Sequence, residues 1–183
     1  PKDQKTPNIL FIFADDQRAD ALGSAQNPYI KTPHIDALAT NGIRFENAYV
    51  MGGHHGAICA PSRAMLLSGK SLFHVYDRLE GIETLPHFLS TKGYQTFATG
   101  KWHNGAASFE ANFQEGRQIL LGGMSDHFKV PVRDLDENHK LNNLQRKGFS
   151  TDIFTEEALQ FLDRYQTSKK ENPNRFSNLK FQP

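Results

Sequence analysis

Residues 59–69 read Cys-Ala-Pro-Ser-Arg-Ala-Met-Leu-Leu-Ser-Gly and contain the protein's single cysteine. Pro61 suits the first position of a helix and Gly69 its end, so Cys59 falls at or just before a helix N-terminus. Backbone N–H groups and partial positive charge at that end favour anions. Arg63, about one turn further on, adds a permanent cation. A lone cysteine is usually inert packing. Here its neighbours point instead to a reactive group that handles an anionic substrate.

Two further blocks carry chemistry. Asp15 and Asp16 are adjacent acids with no basic residue between them, and they repel each other unless a cation joins them. Oxygen-only donors suit calcium or magnesium. As a bare pair they suit a solvated strand-to-loop turn as well. In Gly100-Lys101-Trp102-His103-Asn104-Gly105, Lys101 is cationic and His103 titrates near neutrality, so both can meet an anion. Taken alone, that pattern also fits a surface turn with a half-buried tryptophan. Ahead of Cys59 runs Gly52-Gly53-His54-His55-Gly56, whose glycines permit close backbone approach to a ligand. His54 and His55 there would either line a pocket or sit in a surface loop.

These groups need a scaffold. Residues 8–13, Asn-Ile-Leu-Phe-Ile-Phe, are a continuous apolar run expected of a strand buried on both faces, parallel and central. Ligand sites in open α/β sheets lie off the carboxyl ends of strands. Asp15 and Asp16 would stand at such an end, and so would Lys101 and His103 after a strand at 94–99. Thr32-Pro33 opens a helix that Asn41-Gly42 closes, and residues 43–49 read as a strand with Ile43 and Phe45 on one face. Residues 84–91 form another short helix. Residues 109–132 lack a clear period and read as a long pocket-wall segment, with Asp126 and His127 as further candidate contacts. Residues 134–147 are polar and read as exposed. Residues 150–165 are an amphipathic helix with Phe154, Ala158, Phe161 and Tyr165 in one stripe. The fold class is α/β, a mainly parallel sheet flanked by helices.

At 183 residues the chain suits one domain. A net charge of +1 lacks the basic field that nucleic-acid binders carry, so no nucleic acid is expected as a partner. Charged residues at 22% and apolar ones at 38% suit a globular protein with a polar surface. No segment approaches the ~20 apolar residues of a membrane span. One cysteine leaves no internal disulfide framework. The sequence opens on Pro1 and stays polar to Pro7, with no export signal in this stretch.

Cys59-x-Pro61-Ser62-Arg63 with Ala64-x-Leu66-x-x-Gly69 resembles the signature of the type I, formylglycine-dependent sulfatases of the alkaline-phosphatase-like superfamily. Three further motifs are similar to the family's opening: Ala14-Asp15-Asp16 after an apolar run, Thr32-Pro33-x-x-Asp36-x-Leu38, and Gly42-x-x-Phe45-x-Asn47-Ala48-Tyr49. The Gly100-Lys101-Trp102-His103-x-Gly105 block matches too, with Asn104 at a position that is usually leucine. Several blocks in family order are far more specific than any one of them. The resemblance implies a sulfatase-like fold and an apparently truncated chain, with residues 1–165 as the N-terminal part of a catalytic domain; residues 166–183, polar and without a strand-forming run, are expected to be a disordered or loose tail.

It also implies roles. Cys59 would be oxidised to formylglycine by a formylglycine-generating or anaerobic maturation enzyme. One hydroxyl of the hydrated aldehyde would attack sulfur and expel the alcohol, and deprotonation of the other would eject sulfate. Asp15, Asp16 and the modified Cys59 would ligate Ca²⁺, in preference to Mg²⁺. Arg63 would stabilise the hydrate, and Lys101 and His103 would bind sulfate. The His-His-Gly-Ala-Ile-Cys approach and Gly122-Gly123-Met124-Ser125-Asp126-His127 look like those of bacterial polysaccharide sulfatases. A sulfated polysaccharide or oligosaccharide in the periplasm or outside the cell is the implied substrate. Two other readings stay open: a phosphonate or phosphoester hydrolase of the same superfamily, and an inactive fragment that at most binds glycan.

Overall fold

A computed structural model describes residues 7–56 and 58–171. The chain divides into two compact units, Leu10–Met51 and a larger one made of Pro1–Ile9 with Gly52–Pro183.

In the smaller unit, Pro33 opens helix α1 (Pro33–Asn41) after Thr32, as the proline signal predicts, while Thr32 makes no side-chain cap bond. Asp36 organises the turn beneath it. Its Oδ1 accepts the Ser24 amide at 2.7 Å and the Thr32 hydroxyl at 2.9 Å, and the Thr32 Oγ1 accepts the Gly23 amide at 2.8 Å. Partial desolvation pushes the Asp36 carboxyl up, but the hydrogen bonds from Ser24 and Thr32 outweigh it and hold the group below its ordinary value. None of the described residues of this unit is buried.

The two strands expected over residues 8–13 and 43–49 are not formed. Leu10 is 79% exposed, Ile12 74%, Ile43 83% and Phe45 79%. An apolar run becomes a buried strand only where a neighbouring strand takes its N–H and C=O groups and a packed layer covers its side chains. Among the described residues no strand pairs with either segment, and the sheet begins at Phe97.

The larger unit holds α2 (Cys59–Ser68), α3 (Leu85–Thr91), β1 (Phe97–Lys101), α4 (Ala106–Asn112), β2 (Glu115–Leu120), β3 (Pro131–Leu135), β4 (Leu141–Gln145) and α5 (Ser150–Glu171). The four strands form one sheet in sequence order. The α/β architecture holds, and its parallel part is a single β1–α4–β2 crossover; β2/β3 and β3/β4 pair antiparallel. The stretch expected to be a pocket wall from residue 109 supplies the end of α4, all of β2 and the start of β3. The polar stretch 134–147 is largely the β3/β4 hairpin. Its turn is built on Asp136, whose carboxylate accepts the Asn138 and Lys140 amides. The Lys140 amide above all holds the Asp136 carboxyl below its usual range.

Two apolar clusters fill this unit. One joins Ala64, Val75, Leu79, Trp102, Phe109, Ile119 and Leu135; the other joins Leu120, Val130, Val132 and Ile153, with Phe154 against it. Helix α5 lies on β1, where Phe161 stacks on Phe97 at 4.2 Å between ring centres. The predicted stripe is correct and the helix outlasts it, running to Glu171. The rest of the expected polar tail, residues 172–183, lies outside the described residues.

Candidate active site

Cys59 is the first residue of α2 and is half-buried. Ile58 offers no side-chain cap, and the first bond of the helix runs from the Ser62 amide to the Ile58 carbonyl at 3.0 Å. Pro61 is the third residue of α2 rather than the first; it has no N–H to leave unsatisfied, so the first turn reaches its fixed φ at no hydrogen-bonding cost. At the other end Gly69 takes a left-handed φ of 66° and its amide closes on the Met65 carbonyl, as the sequence signal predicts. A Cβ on Gly53, in the loop before the helix, would come within 2.9 Å of Pro61 Cγ, so the approach to Cys59 is close-packed at that point. His54 and His55 in the same loop are exposed.

Arg63 is buried, only 8% exposed, and its Nη1 donates to the Lys101 carbonyl at 2.7 Å. The strand expected at 94–99 is shifted: β1 starts at Phe97 and includes Gly100 and Lys101. Lys101 is its last residue, and the Trp102 amide continues toward β2 by donating to the Leu120 carbonyl at 2.8 Å. His103 follows with φ 67°, a left-handed backbone unusual for a side chain of this size and a recurrent mark of functional turns. Trp102 is buried, its indole N–H shared between the Gly105 carbonyl at 2.9 Å and the Ser108 hydroxyl at 3.0 Å. The turn that presents Lys101 and His103 is therefore pinned from below by an aromatic anchor.

Three contributors to this geometry went unread in the sequence. Gly123 lies against the His103 ring: a Cβ there would meet His103 Cε1 at 2.6 Å and Nε2 at 2.7 Å. The glycine pair in Gly122-Gly123 was the available signal. Asn104, fully buried, donates its Nδ2 to the Ala60 carbonyl at 2.9 Å and to the Asp77 carbonyl. A bulge at Gln118 is the third. Thr99 pairs with Arg117 and Gly100 with Ile119, so Gln118 has no opposite residue and takes φ 52°. Bulges raise the local twist of a strand pair, and this one lies in β2, opposite the Thr99–Gly100 step of β1. Asp134 holds it, accepting the Gln118 amide at 2.8 Å and pairing with Arg117 at 3.0 Å. Asp134 first, through its hydrogen bond, raises the Arg117 guanidinium above its ordinary value.

The larger unit thus brings together the start of the Cys59 helix, Arg63 and the Lys101–His103 turn, with Gly123 against His103. Asp15 and Asp16 belong to the smaller unit, both exposed, Asp16 with φ 53°. As oxygen donors they fit calcium in kind. Among the described residues no group of three or more His, Cys, Asp or Glu is placed to hold a metal ion. His127 is engaged at the head of α5, where its Nδ1 meets the Ser150 hydroxyl at 2.9 Å and its carbonyl accepts the Ser150 amide at 2.8 Å. Asp126 accepts the Phe128 amide at 2.8 Å and is exposed.

The chain is similar to an N-acetylglucosamine-6-O-sulfatase of Bacteroides thetaiotaomicron, 32% identical over 92% of this chain and 29% of that protein. It is also similar to an ulvan-active sulfatase of Formosa agariphila, 38% identical over 71% of this chain and 27% of that protein. Arylsulfatase A of Bos taurus is 39% identical over 70% of this chain and 27% of its own length. The chain spans less than a third of the length of these curated relatives. No helix among the described residues is long and apolar enough to cross a membrane. Because the sulfatase family profile matches residues 7–177, nearly the whole sequence around the geometry above, the chain belongs to the sulfatase family.

Proposed function

We propose that this chain provides the nucleophile-bearing part of a sulfate-ester hydrolase that acts on sulfated polysaccharide or oligosaccharide, with Cys59 converted to formylglycine. The observation that carries the reading is the tie between the Cys59 helix and the anion-binding turn, the Arg63 guanidinium on the Lys101 carbonyl at 2.7 Å. Formylglycine, when present, supplies a hydratable aldehyde whose oxygen is a nucleophile toward sulfur. The chain's own residues do the rest. The start of α2 and the Arg63 guanidinium place positive charge beside residue 59. Lys101 and His103 bind the sulfate oxygens, and His103 can pass a proton to the leaving alkoxide. Asp15 and Asp16 would hold Ca²⁺, with Mg²⁺ the poorer fit, and the ion would supply positive charge.

The glycan substrate is supported by the names of two relatives, one acting on N-acetylglucosamine 6-O-sulfate groups and one on ulvan. A formylglycine-generating or anaerobic maturation enzyme is the partner this chemistry needs, and a periplasmic or secreted location suits such a substrate.

The test pairs an aryl sulfate with an aryl phosphonate, assayed on the chain co-expressed with a formylglycine-generating enzyme and on its Cys59→Ala variant. Sulfate turnover that Cys59→Ala abolishes supports the proposal. Preference for the phosphonate would move the protein to the related hydrolases, and glycan binding without any turnover would make it a binding fragment.

A further inference from the structure

We propose that Asn104 is a positioning residue that clamps the first turn of α2 to the Lys101–His103 turn. What the clamp serves rests on the sulfatase reading; the clamp itself is a property of this chain. Asn104 is completely buried. Its amide nitrogen has two protons and two acceptors, the Ala60 carbonyl at 2.9 Å and the Asp77 carbonyl. Its own carbonyl accepts the Ser108 hydroxyl at 2.7 Å, and Ser108 in turn accepts the Trp102 indole N–H at 3.0 Å.

The side-chain oxygen decides between filler and clamp. Asn104 Oδ1 is buried with no hydrogen-bond partner. A buried amide oxygen left unsatisfied is unfavourable, and an apolar side chain of similar volume, such as the leucine usual in this motif, would avoid the penalty. The two bonds from Nδ2 are what an apolar residue cannot supply. Ala60 follows Cys59 directly in sequence. The Arg63 bond to the Lys101 carbonyl at 2.7 Å ties the same helix one turn later. With Asn104 holding Ala60 and Lys101 holding Arg63, the start of α2 has two fixed points on a single turn of backbone, residues 101–104. Cys59 is thereby held in register with Lys101 and His103.

The test uses the full chain made without a maturation enzyme, so that Cys59 remains the single thiol. Asn104→Asp keeps the shape and removes both donors; Asn104→Ser leaves the site smaller and falls short of Ala60. Iodoacetamide alkylation of Cys59 and amide hydrogen exchange are read for each, beside Ile153→Val in the other apolar cluster as a control for general destabilisation. Local opening predicts that either Asn104 variant alkylates at least ~5-fold faster and exchanges amides 59–64 at least ~10-fold faster, with β3 and β4 amides within ~2-fold of wild type. Ile153→Val should raise exchange by a similar factor throughout the larger unit, without singling out amides 59–64. Unchanged alkylation in the Asn104 variants, or a uniform rise in exchange like that of Ile153→Val, would overturn the clamp. Because the readouts use the thiol, they stand or fall independently of sulfate hydrolysis.

Discussion

On the proposed reading, Cys59, Arg63, Lys101 and His103 would divide the labour of an anion site between a helix start and a strand end. Lys101 is expected to matter through charge on the sulfate oxygens: Lys101→Ala should lower kcat/KM for an aryl sulfate by about 10²-fold, the usual effect of losing one preorganised donor. Steady-state kinetics on the matured chain check this, and a value near wild type would remove Lys101 from the site. Gly123→Ala tests the wall behind His103. The added methyl would enter the ring at 2.6 Å, so the ring must turn. A shifted His103 Cε1–H resonance with sulfate binding weakened about 10-fold is the expected result; an unmoved resonance would mean that the loop, not the ring, gives way. The residues that carry charge were legible because a cysteine before Pro-Ser-Arg or a Lys-Trp-His block is rare. Asn104 was not legible as a clamp. Its acceptors lie 44 and 27 residues away in the sequence, and no local pattern encodes such a pairing.

At the scale of elements, what each segment needs from its neighbours decided whether the sequence revealed it. Helices α1, α2 and α3 were readable because prolines near the helix start and glycines after its end act locally. Residues 8–13 and 43–49 were misread because their apolar pattern describes a burial that only a paired neighbour can create. Strands β3 and β4 were overlooked for the opposite reason: a hairpin at the edge of a sheet faces water and tolerates Asn142, Asn143 and Lys140. The bulge at Gln118 was invisible because it exists only in the register of β1 on β2. Asp134→Ala should unfasten that bulge, leaving the Gln118 amide without its acceptor, and cost about 1–3 kcal/mol in urea unfolding. The same variant should weaken sulfate binding, since the bulge sets the register in which β1 carries Lys101 against Leu120. Stability unchanged within a few tenths of a kcal/mol would show that the strand register does not depend on Asp134.

Across the larger unit, α4 is tied to the start of β4 by Glu110, which accepts Lys140 Nζ at 2.8 Å and the Leu141 amide at 3.1 Å. The Lys140 hydrogen bond, partly opposed by desolvation, holds the Glu110 carboxyl below the usual glutamate value of 4.5. A carboxyl depressed in the folded state binds its proton more readily when unfolded. Its contribution is therefore complete above pH 4.5 and fades as pH falls through the folded value. Lys140 is well exposed, so the effect is modest. Glu110→Gln should lower Tm by roughly 2–4 °C at pH 7, and the gap should shrink as the pH falls below 4.5. Thermal melts at several pH values check it, and a gap that persists in acid would assign the loss to packing rather than charge.

The central claim is that Cys59 is the precursor of the nucleophile, and the mass of the Cys59 peptide tests it most directly. After co-expression with a formylglycine-generating enzyme, that peptide should have lost its sulfur and two hydrogens and gained one oxygen, and should react with an aldehyde-specific hydrazide. A peptide that keeps the intact thiol under those conditions would contradict the account.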